Sequence, residues 1–277
     1  MERSLKPFYQ AWRKAKQHKK PSMNQLAYEA NWLDGLFELR EQVQQHRWQP
    51  HRTVCFITTR PKTREIHAPD FADRVLHHYL VPQLQCLIEP LFIHDSFANR
   101  TGKGSHQAVF RLQKFMRQVK HSKIRPAYFL QLDIHNFFNS LDRRILYRQL
   151  CYQLDKSLAR QKITQVTDRE LRHLCHALVN QKPAENTYYR GSKETHAAVP
   201  AHKQLKNARQ GCGIAVGNLS SQFFANVFMN ALDQWVKHQL KAKYYVRYVD
   251  DFVLLHEDPE QLMRWRQEIV VFLQKEL

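Results

Sequence analysis

Tyr244-Tyr245-Val246-Arg247-Tyr248-Val249-Asp250-Asp251-Phe252-Val253-Leu254-Leu255 decides the reading of this chain. An apolar, β-branched and aromatic run is interrupted by two adjacent carboxylates, and it predicts two short strands joined by a tight turn. Two like charges at the tip of a buried hairpin repel each other and are costly to desolvate. A divalent cation held between them and a third carboxylate would reverse that balance.

The third carboxylate is expected far upstream. Ala127-Tyr128-Phe129-Leu130-Gln131-Leu132-Asp133 reads as an apolar strand ending in one aspartate, and Ile134-His135-Asn136-Phe137-Phe138-Asn139-Ser140-Leu141-Asp142 reads as a turn and a helix start. A strand ending in Asp and a hairpin carrying Asp-Asp form the minimal carboxylate set for two-metal phosphoryl transfer. In that chemistry one ion activates a hydroxyl and the other, roughly 3.5–4 Å away, stabilises the leaving oxygen. Mg²⁺ is the expected ion, because it prefers oxygen ligands and shares its shell with substrate phosphates.

Composition points the same way. The 277 residues carry 43 Lys+Arg against 25 Asp+Glu, a formal net charge of +18, so a polyanionic partner is expected, with nucleic acid ahead of an anionic membrane surface. Basic residues share segments with aromatics at Lys241–Arg247 and Arg111–Arg125. The cysteines (Cys55, Cys86, Cys151, Cys175, Cys212) show no Cys-x-x-Cys spacing, which excludes the common zinc-ribbon and thioredoxin-like patterns and predicts reduced thiols in a cytoplasmic protein. Met1–Pro7 lacks an apolar signal core, and no stretch is long enough to span a membrane. His173, Cys175 and His176 fit no common zinc spacing and are expected on a helix with Leu171, Leu174 and Leu178.

Along the chain, 22–47 reads as one helix capped by Asn24 or Ser22, with Leu26, Trp32, Leu33, Leu36, Phe37, Leu39 and Val43 on its apolar face. Strands are expected at Thr53–Thr58 and Arg64–Ala68. A helix follows Pro69-Asp70, with Pro82 to kink or bound it. Residues 92–103 read as loop, and Gly104 or Ser105 opens a helix carrying Val109, Leu112, Phe115, Met116 and Val119. Helices are expected at 142–155 and 167–179, a polar irregular stretch at 181–211, a long helix at 219–240, and a last one from Pro259 onward. The class is α+β, mostly helical, with a small antiparallel sheet holding the three aspartates.

Between Asp133 and the hairpin lies Gly211-Cys212-Gly213-Ile214-Ala215-Val216-Gly217-Asn218-Leu219-Ser220-Ser221-Gln222-Phe223-Phe224-Ala225-Asn226. Its glycines allow a nucleotide or base pair to approach the backbone, and the small Ser221 keeps the helix face close. In this order the motifs resemble those of reverse transcriptases. Leu130–Phe138 looks like their first palm motif and Tyr248-Val249-Asp250-Asp251 like their Tyr-x-Asp-Asp motif. Arg64–Asp70 with Asp73-Arg74, and Ser96–Arg100 with Gly102–Val109, look like the fingers motifs of bacterial members. The resemblance covers roughly residues 50–270. Gly-Asn-Leu-Ser-Ser-Gln, in place of the usual Gln-Gly and Ser-Pro signatures, is similar to the enzymes of diversity-generating retroelements. These copy a template-repeat RNA into cDNA while misincorporating opposite adenines, and they commonly work with a small, basic, oligomeric accessory protein.

The resemblance implies a right-hand polymerase arrangement of fingers and palm. It divides the chain into an N-terminal extension and fingers (1–125), a first part of the palm (126–150), helices with a polar insertion (151–208) and a second part of the palm with the Asp-Asp hairpin (209–277). The thumb that follows in the family is expected to be missing. Asp133, Asp250 and Asp251 are implied as catalytic carboxylates and, with the carbonyl of Ile134, as ligands of two Mg²⁺ ions, Mn²⁺ being the alternative. Lys62 and Arg64 are implied to clamp the dNTP triphosphate. Phe138 is implied to exclude a 2′-hydroxyl, with its neighbour Phe137 in the core. Val216 and Gly217 line the incoming nucleotide. Arg100, Lys103, Ser221 and Gln222 meet the template RNA and cDNA primer. Val216 stands where accurate members carry a polar Gln; valine cannot hydrogen-bond, so low fidelity is expected, above all opposite adenine. A phage-defence reverse transcriptase shares this core, and a non-catalytic RNA-binding subunit of polymerase shape is the alternative of another class.

Overall fold

A computed structural model describes residues 4–17, 20–60, 62–120, 126–159 and 167–277. The end of the basic 111–125 segment and the first three residues lie outside the described residues. In chain order the elements are α1 (Lys6–Ala15), α2 (Met23–Ala30), α3 (Trp32–Gln44), β1 (Thr53–Thr58), β2 (Arg64–Ala68), α4 (Phe71–Ile88), α5 (Ser105–Val119), β3 (Tyr128–Asp133), α6 (Phe137–Ser140), α7 (Arg143–Leu158), α8 (Asp168–Val179), β4 (Thr187–Tyr189), α9 (Lys193–Ala197), α10 (Leu219–His238), β5 (Tyr245–Tyr248), β6 (Asp251–His256) and α11 (Pro259–Glu276). The class is α+β, as the patterning predicts. Two compact units form, one from Met1–Pro90 with Phe138–Phe224, the other from Leu91–Phe137 with Ala225–Leu277.

In the first unit α4 is the hub, with α1, α2, α3, α7 and α8 packed on it. Its buried Val75, Leu76, Tyr79, Leu80, Leu84 and Leu87 recur at helical spacing. Asp70 caps its start by accepting from the Ala72 N–H, and Pro82 lies inside it. The sequence expectation missed α1, which buries Phe8, Ala11, Trp12 and Ala15 and stacks Phe8 on Tyr79 with ring centroids 4.2 Å apart. The single helix expected over 22–47 is two, broken at Asn31, whose backbone (φ −130, ψ 37) is not helical. The break changes the helical phase, so Leu26, Leu33 and Phe37 are exposed while Leu36, Leu39 and Val43 are buried. Ser22 is the cap, and Asn24 bonds instead to Asp70 and the Phe71 N–H. The polar stretch 181–211 is not wholly irregular: β4 pairs parallel to β1, completing a β2-β1-β4 sheet with β1–β2 antiparallel.

The second unit is a β3-β6-β5 antiparallel sheet. Because strand side chains alternate, Val246, Val253 and Leu255 share one face and pack with Phe97, Phe115 and Val119 under α5. Tyr245, Phe252 and Leu254 point to the opposite face, where α11 adds Leu262, Trp265 and Ile269 to the buried set. Val109 and Met116 of α5, expected on its apolar face, are exposed; Phe115 and Val119 carry the contact.

Candidate active site

Asp133 is the last residue of β3 and Asp251 the first of β6, and the sheet register sets them directly opposite each other. Asp250 is the second residue of the two-residue turn joining β5 to β6. One carboxylate oxygen from each of the three lies within 4.8 Å of the others. Asp133 and Asp251 are exposed and Asp250 half-buried. This corrects one expectation. The hairpin tip faces solvent, so the energetic problem is mutual repulsion rather than desolvation. The donor set is all hard oxygen and open to water, which fits a divalent cation that keeps part of its hydration and takes phosphate oxygens as further ligands. Ile134 follows Asp133 directly as the chain leaves β3.

The tip is held from below by a side chain whose role the sequence reading missed. Arg247 on β5 is buried, not a nucleic-acid-facing cation of the basic 241–247 segment. Its Nε donates to Asp233 Oδ1 at 2.8 Å and its Nη2 to Oδ2 at 2.7 Å, a bidentate ion pair. Its Nη1 donates to the Val249 carbonyl at 2.7 Å and to Asn226 Oδ1 at 3.1 Å, and its Nη2 to Ser96 Oγ at 3.3 Å. Val249 opens the hairpin turn at φ +59, where a β-branched residue is strained. The guanidinium therefore fastens the strained residue that precedes Asp250. Burial opposes the charge of Arg247, but Asp233 outweighs it and holds the pKa above the ordinary arginine value, with Tyr245 and Asp250 adding smaller pulls. The signal was available: one Asp on an apolar helix and one Arg on an apolar strand call for each other.

The remaining candidates fall in two groups. Arg100 and Lys103 belong to the second unit and bond to their own loop: Arg100 to the carbonyls of Ile93 at 2.7 Å and Ser96 at 2.9 Å, Lys103 to the carbonyl of His94. In the same unit Arg111 and Lys237 pair with Asp95 at 2.7 and 3.0 Å, so part of the basic excess is neutralised internally. Lys62, Arg64, Phe138, Val216, Gly217, Ser221 and Gln222 belong to the first unit. There the Val216 carbonyl accepts from the His67 N–H at 3.2 Å, which docks the Val216–Gly217 turn on β2, the strand that opens with Arg64. Gly217 has φ +110, and a Cβ there would lie 2.8 Å from Ile66 Cγ2, so any side chain is strained and must displace Ile66. Lys62 and Arg64 are exposed, Phe138 and Gln222 half-buried, and Ser221 buried. Phe137 is buried and meets Phe228 edge-on. His173, Cys175 and His176 do separate things: His173 bonds the Trp48 carbonyl, Cys175 is buried, and His176 meets the Tyr147 ring.

Residues 57–276 match the sequence pattern of the family described as Reverse transcriptase (RNA-dependent DNA polymerase). The chain belongs to the reverse transcriptase family. Solved structures similar to it include apo telomerase from Candida tropicalis, truncated from its C-terminal domain, at 12% identity and a TM-score of 0.57 over 81% of this chain and 47% of that one. Telomerase from Candida albicans, in complex with the TWJ fragment of telomeric RNA, aligns at 12% identity and a TM-score of 0.51 over 81% of this chain and 40% of that one. This reverse transcriptase chain thus spans less than half the length of those proteins, and at such identity the likeness shows the fold: the fingers and palm of a reverse transcriptase. No curated protein sequence matches the chain. No described helix of this reverse transcriptase is long and apolar enough to cross a membrane.

Proposed function

We propose that this chain is the fingers and palm of an RNA-directed DNA polymerase that makes cDNA by two-metal nucleotidyl transfer, error-prone and belonging to a diversity-generating retroelement. The observation that carries the polymerase reading is the meeting of Asp133 with Asp250 and Asp251 at one open end of the sheet. Asp133, Asp250, Asp251 and the Ile134 carbonyl would hold Mg²⁺ or Mn²⁺. When bound, such ions supply charge neutralisation at the α-phosphate and activation of the primer 3′-hydroxyl. The protein's share is positioning: Arg247 and the sheet register hold the carboxylates in place before substrate arrives.

In this reading an N-terminal extension and fingers span 1–125, palm 126–150 and 209–277, with the fingers/palm helices and polar insertion of 151–208 between. Lys62 and Arg64 bind the triphosphate. Phe138 excludes a 2′-hydroxyl by bulk, and Val216 with Gly217 contacts the nucleotide. Arg100, Lys103, Ser221 and Gln222 face template RNA and primer, and a small basic accessory oligomer is the expected protein partner. The retroelement assignment is supported by Gly217-Asn218-Leu219-Ser220-Ser221-Gln222 and by an apolar Val216 on the docked turn.

Primer extension on an RNA template with Mg²⁺ tests the reading. Extension that vanishes in Asp250→Asn supports it; RNA binding without metal-dependent extension supports a binding subunit instead. Sequencing the products tests the finer statement. Errors concentrated opposite template adenines and reduced by Val216→Gln are expected, and an error spectrum indifferent to that substitution removes Val216 as the determinant.

A further inference from the structure

Outside the aspartate cluster, one other group of described side chains gathers metal-ligand atoms: Cys55, Glu65 and His67 on the β1–β2 hairpin. The gathering follows from strand geometry. Cys55 and His67 are register partners across β1 and β2, and Glu65 lies two residues before His67, so all three share one face of the ribbon. Cys55 and His67 are fully buried, and the Glu65 carboxylate is nearly so. Its Oε1 lies 3.4 Å from Cys55 Sγ and 3.2 Å from His67 Nε2. Its Oε2 accepts from the Leu205 N–H at 2.8 Å, which orients the carboxylate and leaves Oε1 for the cluster.

We propose that Cys55, Glu65 and His67 form a zinc site that clips the β1–β2 hairpin. Zinc takes thiolate at about 2.3 Å and nitrogen or carboxylate oxygen at about 2.0 Å, so neighbouring donors of a tetrahedral ion are roughly 3.3–3.5 Å apart. The 3.4 and 3.2 Å separations lie within about 0.1 Å of those edges, and the three ligand atoms are all within 4.8 Å of one another. A mixed sulfur, nitrogen and oxygen set selects zinc over magnesium or calcium, and three protein ligands leave a fourth position for water. Thiolate, carboxylate and neutral imidazole sum with Zn²⁺ to zero charge, which a buried site tolerates. The other ring nitrogen, His67 Nδ1, is buried and has no partner. In the metal-free site the Glu65 carboxylate holds the ring proton on Nε2, and the Nε2 lone pair becomes available once that proton moves to Nδ1. Binding then releases the thiol proton to solvent. The clip would stiffen the strand that opens with Arg64 and receives the Val216–Gly217 turn. It is independent of the aspartate site, where a thiol plays no part.

The test uses the whole chain, purified under reducing conditions, equilibrated with Zn²⁺ and dialysed. Expected are near-stoichiometric retained zinc, a melting temperature that rises with Zn²⁺ and falls with a chelator, and a thiolate-to-metal charge-transfer band when Co²⁺ replaces zinc. The band should vanish in Cys55→Ser and persist in Cys86→Ser and Asp250→Asn. Glu65→Gln preserves shape and keeps one oxygen to accept from the Leu205 N–H, so it is informative even if the cysteine variant folds poorly. It should weaken zinc by at least about tenfold, since even outer-shell partners are worth that much. A folded wild-type chain that retains no zinc and gives no cobalt–thiolate band, or a band that survives Cys55→Ser, overturns the proposal and leaves a hydrogen-bonded triad.

Discussion

Arg247 and Asp233 form an ion pair of which neither side chain exposes any surface. It joins the strand before the Asp-Asp turn to the long helix α10, with Tyr245 OH donating to Asp233 Oδ1 at 2.8 Å. Removing one member of such a pair leaves an uncompensated buried charge, at about 3–5 kcal/mol. Arg247→Met and Asp233→Leu are each expected to cost that much in chemical denaturation. The double variant should regain most of the stability, since two apolar groups can replace a buried pair. Polymerase activity should stay low in the double variant, because the Val249 carbonyl has still lost its donor. Activity recovering together with stability would show that the clamp does not position the turn.

Asp133→Asn and Asp251→Asn should separate chemistry from folding. Each removes an exposed carboxylate from a cluster of three like charges, so thermal stability at low salt should hold or rise by a few tenths of a kcal/mol. Metal-dependent extension should fall about 10²-fold or more. Melting curves recorded beside extension assays check both; a large stability loss would give these side chains a structural role.

His77 makes stability depend on pH. It is fully buried in α4, and burial, with His78 and Arg74 adding to it, pushes its pKa down to about 3. The unfolded chain binds this proton near the ordinary value of about 6.5. The folded pKa is the lower, so the stabilisation is complete above about pH 6.5 and drains away as pH falls toward 3, at up to about 1.4 kcal/mol per pH unit. Denaturant unfolding from neutral pH to about pH 4.5 should show this slope, and His77→Leu should flatten it. An unchanged slope would place the acid sensitivity elsewhere.

Gly217 and Gly211 provide a matched pair. Both have left-handed backbone, φ +110 and +82, but a Cβ at Gly217 meets Ile66 at 2.8 Å while Gly211 has nothing within 4 Å. Gly211→Ala should cost only the backbone strain, about 1 kcal/mol. Gly217→Ala should cost about 2–3 kcal/mol more and loosen the turn from β2. Equal melting temperatures for the two variants would mean that Ile66 moves aside freely.

Local chemistry is what the sequence determined. The strands at 53–58 and 64–68, the helix that follows Pro69-Asp70, and the hairpin carrying Asp-Asp follow from alternation and from breaker and turn residues close in the chain. So does the α+β class, because each element carries its own period. What the tertiary structure decided is which residues at large separation meet. The helical phase on either side of Asn31 left Leu26, Leu33 and Phe37 outside, and no local signal marks that break. Strand β4 exists because β1 offers it a partner; three residues of polar surroundings carry no strand signal alone. Arg247 looks like a surface cation until Asp233 is set beside it, and Cys55 looks like an isolated thiol until the hairpin register brings Glu65 and His67 across. A side chain's charge and shape are written in its residue type, but its electrostatic meaning depends on the neighbour that folding supplies.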